Sequence, residues 1–202
     1  MIFGILLVAI GAYVIVIHRF LAITKRVVAE VLVVEGWTWD RPGLREAVQE
    51  IRRGDYQCVI CVGESLPRGK APGGTESSAS LAARRLVELG IDKERVFEVT
   101  VSDPVGYRTF GAALAVRAWL RHERPAVAAV NVFTIGVHAR KSYVLYRKAL
   151  GPGFQVGIIA GPVYSYSVRR WWASSTGTYA VLRNTVGYLY ALTVSAPAET
   201  NQ

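Results

Sequence analysis

"AAVNVFTIGVHARKSYVLYRKAL", residues 128–150, changes character at its middle. A mostly apolar run leads into Thr134-Ile135-Gly136-Val137, and then His138, Arg140 and Lys141 arrive together. From there Tyr143, Tyr146 and Leu150 fall at helical spacing. The stretch reads as a buried strand delivering into a helix whose first turn is cationic. Cations at a helix N-terminus oppose the helix dipole, which favours negative charge there. Such a turn calls for a bound anion, or for a carboxylate such as Glu64 or Glu76 set against it.

The same strand-to-helix switch recurs along the chain. Apolar runs at 29–34, 58–62, 96–99, 127–133 and 156–160 alternate with helical patterns at 41–53, 76–89, 107–122 and 139–150. Near-continuous Val, Ile and Ala strands alternating with helices predict a parallel sheet covered on both faces. Glycines at 54, 90 and 151 supply the helix stops. A loop and a further helix over 175–192 follow; Arg183 and Asn184 in the middle of that helix argue against its crossing a membrane. The expected organisation is an anchor over 1–24, one α/β domain over 28–194 and a disordered tail over 195–202.

The anchor rests on composition. Hydrophobic residues make up 51% of the 202, mean hydropathy is +0.26, and the excess is concentrated at the start. Residues 1–17 carry no charge, and "FLAI" continues the run after His18-Arg19, which makes a segment long enough to span a hydrocarbon core of about 30 Å. No basic side chain precedes the run, which favours a retained single-pass anchor over a cleaved signal peptide. His18, Arg19, Lys25 and Arg26 follow it, so the charge bias would keep the domain in the cytoplasm. The net charge of +9 suits an anionic partner, a phosphate-containing metabolite or a lipid headgroup. Basic residues are scattered without aromatic interleaving, which argues against nucleic acid.

Cys58 and Cys61 invite a redox or zinc reading. In a strand, positions three apart point to opposite faces, and no second pair completes a metal site, so two buried thiols are expected. Trp171-Trp172, after Arg169-Arg170, is expected to close the core or a lid rather than to form a membrane-interface belt.

Right-handed crossovers put every strand C-terminus on one edge, where open α/β sheets bind ligands. The residues just beyond the strands give the candidate site. Gly36, Trp37 and Gly63 would let backbone N–H groups approach a ligand, and Arg108, Thr109, Thr134 and Arg140 would bind its anionic group. For catalysis, His138 is the acid/base candidate, with Glu64 or Glu76 as its partner carboxylate. No P-loop, GxGxxG, nucleophile elbow or paired metal-ligand set names a cofactor or a reaction.

The set "VVEGW" (33–37), "GYRTF" (106–110), "HARKS" (138–142) and "RRWW" (169–172) resembles a membrane-anchored branch of the YdcF/SanA/ElyC family, a domain of unknown function, over about residues 31–160. The resemblance implies a Rossmann-like three-layer αβα sandwich and a role in envelope biogenesis or barrier function at the inner membrane, with the domain facing the periplasm. One soluble branch of the family is associated with S-adenosylmethionine, for which this chain shows no motif. The chain departs from the family pattern in two loops, where Gly36 alone stands for a run of glycines and Val62-Gly63-Glu64 for Ser-Gly-Gly, and in two helices. The usual Thr-x-Glu-Asn reads Thr109-Phe110-Gly111-Ala112, and the usual His-x-x-Arg reads His138-x-x-Lys141 with an Arg at 140.

Overall fold

The computed structural model describes residues 2–40, 42–66, 77–101 and 108–195; within the first helix, side chains are described from Gly11 onward, Ala12 excepted. Five strands form one sheet: β1 (Val31–Glu35), β2 (Cys58–Glu64), β3 (Val96–Val101), β4 (Ala129–Ile135) and β5 (Gln155–Gly161). Their order is β3-β2-β1-β4-β5 and every pairing is parallel. The helices are α1 (Ile2–Leu21), α2 (Leu44–Arg53), α3 (Ser78–Glu88), α4 (Arg108–Glu123), α5 (Ala139–Leu150) and α6 (Ser175–Thr193).

Alternation along β1 splits the core into two layers. Val31 and Val33 join β4, α4 and α5 on one face, while Leu32 and Val34 join α2 and α3 on the other. Cys58 and Cys61 obey the same rule, one in each layer, both buried and free. The expected parallel, doubly covered α/β sandwich is therefore the observed one. The order of strand addition reverses at β1, with β2 on one side and β4 on the other, which creates a crevice between the C-terminal ends of β1 and β4.

Both sheet edges are protected against stray pairing. β3 exposes the charged Glu98, a common device on an edge strand. β5 is covered by the connection between α1 and β1, where Lys25 and Ile158 exchange backbone hydrogen bonds of 2.7 and 2.8 Å. Asn131 reaches this connection from β4, accepting from the Val27 N–H at 3.0 Å and donating to the Val27 carbonyl at 2.8 Å. It passes over Gly157, where a Cβ would stand 1.8 Å from its Oδ1. Arg26 completes the fastening with a two-pronged pair to the buried Glu50, at 2.9 and 2.8 Å.

The chain thus leaves α1 at the C-terminal edge and runs back along β5 to begin β1. The last turns of α1 pack through Leu21, Ile17 and Val14 against Val137, Trp171 and Val181. The tryptophan pair divides: Trp171 is buried and donates its indole N–H to the Val14 carbonyl at 3.1 Å, whereas Trp172 is 48% exposed. Among the described residues no helix is long and apolar enough to cross a membrane, α6 included. The side chains of residues 1–10 and Ala12, on which most of the anchor expectation rests, lie outside the described residues, as does the tail from 196.

Candidate functional site

Strand β1 ends on a carboxylate. Glu35 is 4% exposed, and the sheet cannot solvate it, so its neighbours must. Thr134 at the end of β4 donates its hydroxyl to Oε2, Ser142 on α5 donates to Oε1 at 2.7 Å, and the Trp37 indole donates to Oε2 at 2.9 Å. His138 Nε2 lies 3.6 Å from Oε2. The carboxylate beside the histidine is therefore Glu35, where the sequence reading expects Glu64 or Glu76. The signal was in the sequence: a lone acid closing an otherwise apolar buried strand.

The cationic turn sorts itself by helical geometry. Positions 138, 141, 142 and 145 lie on one face at i, i+3, i+4 and i+7. His138, Lys141 and Leu145 line the crevice, and Ser142 holds Glu35. Arg140 falls on another face, where its guanidinium sits 3.8 Å over the Phe20 ring and its Nε donates to the Phe20 carbonyl of α1. The expectation that Arg140 clamps an anion is corrected: it fastens α1. Lys141 lies along Gly187 of α6, where a Cβ would stand 2.9 Å from its Cδ. Burial, and then the charges of Arg183 and Arg108, push its pKa down, while Glu35 pushes it up.

A cavity of about 820 Å³ occupies the crevice. Glu35, Trp37, Gly63, Glu64, Arg108, Thr109, His138 and Lys141 line it from the sheet edge, with Tyr179, Arg183 and Asn184 from α6. Glu64 Oε2 lies 3.5 Å from Arg108, while Oε1 is buried and has no hydrogen-bond partner. His138 Nε2 is likewise buried and unpartnered. Burial lowers the His138 pKa from 6.5 to about 4, with Lys141 and Arg183 pushing the same way and Glu35 and a side-chain hydrogen bond to Asn184 pushing against it. At neutral pH the imidazole is uncharged, and its free nitrogen is available as a proton acceptor or donor according to tautomer.

Two other expectations change. Gly36 does not face the cavity: a Cβ there would stand 2.7 Å from the Ser78 carbonyl oxygen and 2.8 Å from that of Val62, so its bareness lets α3 pack against the strand ends. Thr134 is fully buried, with its hydroxyl committed to Glu35. Gly63 does reach the cavity, although a Cβ there would meet the Ser78 hydroxyl at 2.1 Å. Helix α3 starts at Ser78 with Ser77 and Ser80 as a reciprocal cap, and Glu76 lies outside the described residues. Arg183 escaped the motif reading because α6 comes from the far end of the chain; its signal was a polar pair inside an apolar helix. Among the described residues no cluster of His, Cys, Asp and Glu could hold a metal ion. Against protein-family models, curated proteins and solved structures, the chain finds no match.

Proposed function

We propose that this is a membrane-anchored protein of cell-envelope biogenesis or barrier function, of the YdcF/SanA/ElyC kind. In this reading it binds a small phosphate-containing anion, or the phosphate-bearing headgroup of a lipid carrier, in the crevice between β1 and β4. One observation carries the binding: buried, unpartnered His138 Nε2 and Glu64 Oε1 remain in a cavity that Lys141, Arg108 and Arg183 also line. Buried polar atoms without partners are rare, and a ligand that carries a hydroxyl beside its anionic group supplies the partners, since Glu64 Oε1 can only accept. Lys141 presents positive charge to the same space. The anchor rests on the uncharged run at 1–17 and on the resemblance.

If the bound group reacts, the neutral His138 beside Glu35 is the proton-transfer group, and Lys141 with Arg108 holds the anion. The alternative, a non-catalytic envelope scaffold or sensor, uses the same cavity without turnover. Melting the full chain with and without phosphate-containing candidates tests the binding. A ligand-induced rise in wild type that weakens about 10- to 100-fold in apparent affinity in Lys141→Gln supports it, the size expected for one charge-assisted contact. No shift with any candidate, or equal binding by the variant, overturns it. His138→Asn then separates the two forms: an enzyme keeps its ligand and loses turnover. Retention in the membrane after carbonate washing tests the anchor, and C-terminal reporters decide between the periplasmic side implied by resemblance and the cytoplasmic side implied by charge.

A further inference from the structure

Helix α6 is apolar on two faces. Val181, Asn184 and Ala191 are buried toward the domain. Tyr179, Leu182, Val186 and Leu189, at i, i+3, i+7 and i+10, form a separate stripe that is 66, 49, 67 and 57% exposed. Single exposed apolar residues are ordinary, but a continuous stripe is not. Trp172 extends it, and with Tyr179, Leu182 and Val186 it lines a shallow open groove. On α1, which packs against α6, Ile15 and Val16 are also exposed, at 73 and 56%.

Charge is divided in the same sense. Every Asp and Glu except Glu199 lies between residues 30 and 123. Residues 1–29 and 124–198 contain none, although the second stretch carries eight Lys or Arg. The half of the molecule that includes α1, α5 and α6 therefore combines exposed apolar side chains with an excess of positive charge: Arg183 lines the same groove, and the exposed Arg169 and Arg170 precede the tryptophan pair in sequence. An apolar helix face flanked by Arg, Trp and Tyr has the composition of a helix lying in a membrane interface.

We propose that α6 and Trp172 form a second membrane contact, lying in the interface of an anionic phospholipid bilayer beside α1. The occupant is lipid rather than another protein. Helix α1, which packs against α6, itself exposes Ile15 and Val16, and the cations of this half of the molecule complement anionic headgroups. Since Tyr179 and Arg183 also line the ligand cavity, this contact sets the cavity at the level of the headgroups. The inference rests on the membrane reading above.

The test uses the full chain in phosphatidylcholine vesicles containing phosphatidylglycerol. Nitroxides are placed through Val186→Cys and Leu189→Cys, with Arg53→Cys at the opposite edge of the sheet as control; Cys58 and Cys61 are buried and stay unlabelled. Labels at 186 and 189 should be more accessible to oxygen than to a water-soluble nickel chelate, and the label at 53 should show the reverse. Arg169→Gln with Arg170→Gln should reduce the effect of phosphatidylglycerol on the 186 label. Co-flotation of the protein with all three labels in water overturns this inference and leaves the anchor standing. Dipolar broadening at 186 that vanishes on dilution with unlabelled chain assigns the stripe to a second copy and also overturns it. Failure to co-float at all overturns the membrane reading itself.

Discussion

Two glutamates sit at opposite ends of the same sheet, Glu35 at 4% and Glu50 at 5% exposure, and their surroundings differ in kind. Glu50 meets a guanidinium: Arg26 grips both oxygens, and the Tyr56 hydroxyl adds a bond at 3.2 Å. Arg26, Tyr56, Asn131 and the Val27 backbone close on one another, and the result is a clasp. Glu35 meets neutral donors, a neutral imidazole and an ammonium, beside a cavity in which polar atoms are left over. Burial of a carboxylate alone thus says little about function. What separates a site from a fastening is whether the network around it is complete.

The largest expected effect tests that distinction directly. Glu35→Ala removes the acceptor of two buried hydroxyls and of the Trp37 indole, together with the counter-charge of Lys141, and should cost about 3–5 kcal/mol in chemical denaturation. Glu50→Ala should cost less, about 1–3 kcal/mol, because Arg26 is 44% exposed and can return to water while Tyr56 keeps its bond from Asn131. A costlier loss at Glu50 would reverse the comparison.

Acid should separate the two ends as well. His138 titrates at 6.5 when unfolded and at about 4 in the fold, chiefly through burial. Between those values the unfolded chain binds the extra proton, so stability falls on acidification from pH 6.5 to 4, by about 3 kcal/mol for this residue. The Glu50 pKa is lowered, mainly by its hydrogen bonds from Arg26. Its contribution is therefore present above the ordinary carboxylate value of 4.5 and is lost only as pH drops below it. His138→Asn should flatten the upper window of a stability-versus-pH curve and leave the lower one. A curve unchanged between pH 6.5 and 4 would mean that His138 is not held neutral.

The smallest effect concerns Arg140. Its stacking on Phe20 predicts a loss of about 0.5–1 kcal/mol in Arg140→Gln, with phosphate affinity unchanged. An affinity loss matching that of Lys141→Gln would restore Arg140 to the site.

These contrasts also show where the sequence is legible. Period and punctuation located all five strands and the helices between them, because the parallel sheet demands continuous apolar runs and glycine stops. The edge carrying His138, Glu64 and Arg108 followed from topology. Which side chain faces which did not. The choice between Arg140 and Lys141 turns on a hundred degrees of helix rotation that a cluster of three cations conceals. Glu35 stands last in a strand with five buried residues, and the apolar run that marks the strand does not say which histidine or hydroxyls its carboxylate meets. Arg183 and Asn184 reach the site from a helix packed on the outside of α5, a placement that alternation along the sheet does not encode.

The fastening along β5 has a mechanical consequence. Residues 22–30 are short, and they are pinned at Lys25, Arg26 and Val27, so no slack remains between α1 and the sheet. The domain has no swinging radius. Whatever medium holds α1, the crevice rides above it at one fixed height and in one orientation, as a head set directly on its post. Such a molecule cannot sweep a volume or reach toward a distant partner. Held in a membrane as proposed, it would serve what diffuses within that plane or is brought to it there.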